Sequence, residues 1–203
     1  MLKLGELFFR FRNYTPLPFL AYLFLYGKGT HGFVSLAVGT LFVLLGESIR
    51  LYGVAHIGGV SRTRSFSTSQ RLIKSGPFLY VRNPLYIGNL LLSGGLIVTA
   101  NVDPYFTAIF FLFFFIQYVP IVHWEENNLK ERFGREFERY RRTTPRWFPS
   151  LARRAETEET IRGDYATALR SERSTLAAVV CLYLLILWRS GWLEYWFPDL
   201  LRL

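Results

Sequence analysis

Two stretches of this chain carry residue types, at a usable spacing, that could do chemistry. The first, Ser75 to Asn89, reads SGPFLYVRNPLYIGN. Pro77 and Pro84 each hold φ near −65° and lack an N–H, and Pro84 also turns Asn83 away from helical geometry, so the chain bends here before a helix resumes at Leu85. The free amides of that helix start, with Arg82 beside them, make an electropositive corner suited to a carboxylate or another anion. An ordinary loop between two membrane helices would carry the same prolines and is the competing reading. The second stretch is the carboxylate pair Glu125 and Glu126. Adjacent helical residues point about 100° apart, so one carboxylate can reach a ligand hydroxyl while its neighbour orients Arg82 or a backbone amide. Here the competing reading is a surface helix start, where acidic residues suit the helix dipole.

The elements that must position these residues belong to a membrane. Of the 203 residues, 51% are hydrophobic and 18% aromatic, high for a water-soluble domain. Between Tyr105 and Tyr118 only Thr107 and Gln117 are clearly polar and no charge interrupts. A hydrocarbon core about 30 Å thick takes roughly 20 apolar residues as a helix. The pattern predicts spans over about Thr15–Tyr26, Phe33–Ala55, Leu85–Ala100, Tyr105–His123 and from Thr175 to Trp188. The first is short and opens on Pro16 and Pro18. Gly39 and Gly46 in the second, and Gly88, Gly94 and Gly95 in the third, would let neighbouring helices approach closely. Met1 to Asn13 lacks a small-residue cleavage site after its apolar run and reads as a short amphipathic surface helix rather than a signal peptide. Leu129, Phe133, Phe137 and Tyr140 recur at helical steps, predicting an amphipathic helix from Asn127 to Tyr140 along the headgroups. The expected fold class is thus an all-α integral membrane protein of about five transmembrane helices plus amphipathic surface helices.

Charge supplies the topology. The net charge is +9, with 24 Lys and Arg. Three lie in the leader, six from Arg50 to Arg82 and twelve from Lys130 to Arg173, against three elsewhere. All three groups fall on one side of the predicted spans, which places the N-terminus, the Arg82 turn and Glu125–Glu126 in the cytoplasm. The same distribution explains the basic balance without nucleic acid. Cys181 is alone, so no internal disulfide or cysteine-based metal cluster can form, and His31, His56 and His123 show no ligand spacing. Glu47 and Arg50, inside the second span, are candidates for a polar cavity, with pairing at the interface as the plainer alternative. The polar loop Gly58–Lys74 is long enough for a lid, a solvated connector being the alternative.

The order GPFLYVRNPLYIGN, one hydrophobic hairpin, then EENNLKERFGREFERYRRTTPRWFP resembles the isoprenylcysteine carboxyl methyltransferase and phospholipid methyltransferase family of integral membrane enzymes, over about Ser75 to Pro149. The two motifs together are fairly specific, and either alone is weak. The resemblance implies S-adenosylmethionine bound in a cytoplasm-facing pocket, with no glycine-rich Rossmann turn in the chain. It implies cofactor contacts from Tyr80, Val81, Arg82, Asn83, Pro84, Tyr86, Gly88, Glu125 and Glu126, and catalytic roles for Arg82 and Glu125. Asn83 stands where isoprenylcysteine enzymes usually have His, as in phospholipid methyltransferases. Thr143 stands where many members have a basic residue, and Arg142 and Arg146 are the nearby candidates for substrate binding.

The implied function is methyl transfer to a lipophilic acceptor, either an isoprenylcysteine-like carboxylate or a phospholipid amine. A carboxylate needs no base. An amine must first lose a proton, for which Glu125, Glu126 or Glu47 is a possible base. Residues 1–150 form the expected methyltransferase core, with its pocket at 75–89 and 124–149. Residues 151–203 form a charged cytoplasmic linker, helical in part, and an extra C-terminal helix ending in Trp192, Tyr195 and Trp196. The expected partners are the bilayer and a lipid or lipophilic small molecule. Two other readings stand beside this one: an NADPH-dependent, sterol-reductase-like oxidoreductase, and a non-enzymatic scaffold whose basic stretch binds anionic lipid.

Overall fold

Prolines and turn residues set the helix boundaries. Pro16 and Pro18 open one helix, Pro84 opens a second after Asn83, and Asp103 caps a third by accepting from the Tyr105 amide at 2.7 Å, with Pro104 in its first turn. Asn101, at φ 46°, adopts the left-handed geometry that stops the preceding helix. The computed structural model describes residues 1–27, 32–57, 71–150, 162–189 and 191. Its helices are α1 (Leu2–Phe11), α2 (Leu17–Tyr26), α3 (Phe33–Ile57), α4 (Pro84–Ala100), α5 (Pro104–Phe133), α6 (Arg135–Thr143) and α7 (Tyr165–Arg189), with a short 3-10 turn at Gly76–Leu79. No strand occurs among the described residues. The Trp192, Tyr195 and Trp196 belt, most of the Gly58–Lys74 loop and residues 151–161 lie outside them.

The protein is all-helical and built for a bilayer. Among the described residues three helices, α3, α5 and α7, are long and apolar enough to cross a membrane, and α2 and α4 are shorter apolar helices. At 1.5 Å per residue α4 is about 25 Å long and α2 only about 15 Å, half the hydrocarbon thickness. Large apolar side chains stay exposed along the three long helices: Leu41, Leu44 and Leu45 on α3, Ile109, Leu112 and Phe115 on α5, Val180, Leu184 and Leu185 on α7. On a protein in water such a girdle would be an aggregation surface; in hydrocarbon it is the solvent-facing side.

Helices α3 and α4 pack closest. A Cβ on Gly46 would stand 2.6 Å from the Gly88 carbonyl and the Leu92 amide, and one on Gly95 2.6 Å from the Gly39 carbonyl, so only glycine permits this approach. Gly94, which looked like a third packing glycine, instead points toward Phe111 at an ordinary 3.5 Å. The leader departs from expectation in its partner. Helix α1 packs on α5, with Gly5 seated against the Pro120 carbonyl and Trp124, and the Phe9 and Trp124 rings are 5.0 Å apart. Further along, Gln117 donates to the Thr15 hydroxyl at 2.7 Å and Phe19 packs against Phe106, Phe110 and Phe113. Helices α1 and α2 therefore run in succession along α5. The amphipathic leader helix is present, and it packs on α5 rather than standing apart from the bundle.

The expected helix over Asn127–Tyr140 is also redrawn. Helix α5 continues without a break to Phe133, and the chain turns at Gly134, whose φ of 49° suits a residue without a side chain, before α6 begins. The Leu129, Phe133, Phe137 and Tyr140 stripe is present, but it packs on Leu72 and so faces protein.

Candidate active site

The turn that holds Arg82 is tied to the segment after α6 along its length. The Arg82 amide donates to the Pro145 carbonyl at 2.9 Å, the Ser150 amide to the Tyr80 carbonyl at 3.0 Å, and the Asn83 side chain to the Arg146 carbonyl at 3.2 Å. The Arg82 side chain adds three more contacts: Nε to Glu126 Oε1 at 3.0 Å, and Nη1 to the carbonyls of Arg141 at 2.9 Å and Thr144 at 2.5 Å. Arg146 grips the same carboxylate, Nε to Oε1 at 3.1 Å and Nη2 to Oε2 at 2.5 Å. Glu126 is thereby clamped between two guanidinium groups. It is 7% exposed, a burial a carboxylate tolerates when its lone pairs are filled this way.

Glu125, one residue earlier, points elsewhere, as the helical twist requires. It is 3% exposed, and the Tyr86 hydroxyl donates to its Oε2 at 2.7 Å. Both carboxylates line a cleft whose other lining residues are Leu72, Ile73, Phe78, Leu129, Phe137 and Tyr140, with Arg71, Arg82 and Asn83. An apolar, aromatic lining with a small number of placed polar groups is the usual makeup of small-molecule sites. A second cleft of about 440 Å³ lies across Glu126 and Phe137, lined by His123, Asn127, Lys130, Arg141 and Arg146.

Helix α6 roofs the first cleft, and its contacts are fixed by burial. Phe137 is 1% exposed, and the Tyr140 hydroxyl donates to the Phe78 carbonyl at 2.8 Å, pinning α6 to the 3-10 turn. Burial raises the Tyr140 pKa well above its ordinary value, so the hydroxyl remains a donor throughout the neutral range. On the outer face of α6, Glu138 accepts from Lys130 and pairs with Arg141, and the Lys130 hydrogen bond lowers its pKa.

The expected site residues thus divide. Arg82, Asn83, Glu125 and Glu126 line the first cleft, and Tyr86 lies behind it through its bond to Glu125. Val81 and Pro84 are buried and Tyr80 is half-buried; none of the three lines either cleft. Gly88 faces α3, where a Cβ would stand 2.6 Å from Cγ of Arg50. Arg146 reaches the site through Glu126 and lines the second cleft, whereas Arg142 is exposed and lines neither. The roof residues Phe137 and Tyr140 and the Leu72–Ile73 wall were not among the expected contacts. Their signals were present in the helical stripe and in the apolar pair that ends the polar loop.

Comparison with known proteins points to a family. The family described as phospholipid methyltransferase matches residues 34–136, about half of the chain, from α3 into the start of α6. The cobalt-zinc-cadmium resistance protein CzcN of Cupriavidus metallidurans is 34% identical over 118 residues, covering 58% of this chain and 50% of its own. The nickel-cobalt-cadmium resistance protein NccN of Alcaligenes xylosoxydans xylosoxydans is 32% identical over 118 residues, covering 58% of this chain and 51% of its own. The chain spans about half the length of the curated relatives it matches. Both are named for metal resistance; among the described residues no group of three or more His, Cys, Asp or Glu could hold a metal ion. No solved structure matches the chain.

Proposed function

The chain belongs to the phospholipid methyltransferase family, and from that premise we propose that it is an integral membrane methyltransferase using S-adenosylmethionine to methylate a lipophilic acceptor. The observation that carries this reading is the Glu125–Glu126 pair, with one carboxylate clamped by two arginines and the other lining a largely apolar cleft near the end of a membrane-length helix.

The residues suit the donor. Adenine needs flat apolar surfaces, which Phe78 and Phe137 supply, and ribose hydroxyls or an α-ammonium need a buried acceptor, which Glu125 supplies. Arg82 has Nε and Nη1 committed to Glu126 and two carbonyls, which leaves Nη2 to meet the donor's carboxylate. When bound, S-adenosylmethionine supplies an electrophilic methyl group on a sulfonium. The protein then has to hold that methyl in line with a nucleophile about 3 to 3.5 Å away and keep water out. The α6 roof and the Leu72–Ile73 wall do the second task. A site near the end of a membrane-length helix lies within reach of the bilayer, which suits a lipophilic acceptor, either an isoprenylcysteine-like carboxylate or a phospholipid amine. The active side is cytoplasmic in this reading, following the basic residues of α6 and its flanks.

The test is incubation of purified protein with methyl-labelled S-adenosylmethionine and a total lipid extract, followed by organic extraction and identification of the product. Label in a lipid fraction, lost in Glu125→Gln, is the expected result. Label nowhere, with the protein folded, overturns the proposal.

A further inference from the structure

Below the Glu125 rung lies a second set of polar contacts that joins four helices. Asn89 donates through Nδ2 to the Tyr118 hydroxyl at 3.3 Å and accepts at Oδ1 from Nη1 of Arg50. Arg50 in turn places Nη2 2.7 Å from Oε2 of Glu172 and Nε 3.3 Å from Oε2 of Glu47. Glu172 is 1% exposed.

The register makes this a continuation of the site. Tyr118 precedes Glu125 by seven residues, two helical turns, so it lies on the same face about 10 Å toward the apolar middle of α5. Asn89 follows Tyr86 by three residues on α4, about 4.5 Å in the same direction, and its side chain spans the rest of the way to Tyr118. The two rungs, Tyr86 to Glu125 and Asn89 to Tyr118, touch through the Tyr86 and Tyr118 rings, whose centroids are 4.9 Å apart. The ladder is also built for its arginine. Gly88 leaves the slot through which the Arg50 stem reaches Asn89, and any side chain there would collide with Cγ. Ionisable groups inside a span are costly and are kept where they serve a site. One end of this ladder comes from α7, which lies wholly outside the region that the family shares.

We propose that Glu172 is a positioning residue of the methyl-transfer site. By holding Arg50 it fixes Asn89 and Tyr118 beyond the lining of the cleft, on the side of Glu125 toward the apolar middle of α5, where a lipophilic acceptor entering from the bilayer meets the donor's methyl group. This rests on the cleft holding S-adenosylmethionine. The ladder acts on alignment of the acceptor, because the Tyr86–Glu125 rung keeps its own bond when the lower rung is disturbed.

The experiment compares wild type, Glu172→Gln, Asn89→Ala, their double variant and Tyr118→Phe in detergent. It measures S-adenosylhomocysteine affinity, thermal midpoint, and turnover of labelled methyl into the lipid extract at saturating donor, per folded protein. The expected result is turnover lowered about tenfold or more by Glu172→Gln and by Tyr118→Phe, with S-adenosylhomocysteine affinity held within twofold. The double variant is then no slower than Asn89→Ala, as coupled positions require. Tyr118→Phe removes only one hydroxyl and carries the test if Glu172→Gln does not fold. Unchanged turnover in the folded variants, or independent multiplication of the two effects, overturns the proposal and leaves Glu172 as a brace between α3 and α7. Wild type that neither binds S-adenosylhomocysteine nor transfers label overturns the function itself, and the ladder proposal with it.

Discussion

Tyr140 connects the roof of the cleft to its floor through one hydrogen bond, and its burial makes that bond readable by pH. The folded protein raises the Tyr140 pKa, so above about pH 10, where the unfolded chain releases this proton, the folded chain still binds it. The stability drawn from the protonated hydroxyl is complete below pH 10 and declines as pH rises beyond it. Tyr140→Phe is expected to cost about 1–2 kcal/mol at neutral pH, through loss of the Tyr140–Phe78 hydrogen bond. It should also flatten the alkaline decline, as measured by thermal unfolding between pH 8 and 11. Other residues show how far the sequence could be read. The bend at Pro77 and Pro84 and the pairing of Arg82 with one of the two adjacent glutamates were legible because proline and guanidinium properties are local. That Arg146 rather than Arg142 reaches Glu126 was not, because the choice depends on where the chain leaves α6. Glu172 was invisible as a site residue for a similar reason. It lies in a charged stretch, and its partner Arg50 is 122 residues away.

At the scale of elements, glycine placement decides how α3 and α4 meet. Gly46→Ala puts a methyl 2.6 Å from backbone atoms of α4, which cannot swing aside, so the helices must separate. A loss of about 1–3 kcal/mol is expected, together with weaker S-adenosylhomocysteine binding, since α4 carries Tyr86. Gly94→Ala meets only the edge of Phe111 at ordinary contact and should unfold within a degree or two of wild type. Thermal scans of the two variants side by side check the contrast. Helix existence was legible from the apolar runs and their prolines. The faces were less so, because periodicity says which side of a helix is apolar and not what covers it. The stripe from Leu129 to Tyr140 could meet lipid or protein, and Leu72, brought in from another loop, decided the matter. Likewise, Gly5 in the leader gained its meaning only from Pro120 and Trp124.

For the whole molecule, the charge distribution predicts sidedness, and the helix order makes it testable. In a Cys181→Ser background, Arg135→Cys lies beside the cleft and Asp103→Cys in the turn between α4 and α5, at opposite ends of the long α5 helix. A membrane-impermeant maleimide is expected to label Asp103→Cys in intact cells and Arg135→Cys only after the membrane is opened. The reverse pattern would put the site on the other face. The girdle of exposed apolar residues on α3, α5 and α7 gives the molecule its lipid boundary. The clamp around Glu126 gives it a polar pocket at one end of that boundary. What that pocket holds decides the function. Calorimetric titration of purified, helical protein with S-adenosylhomocysteine is the most direct measurement. One-to-one saturable binding that weakens at least tenfold in Glu125→Gln is predicted, and no binding by the wild type would contradict the account.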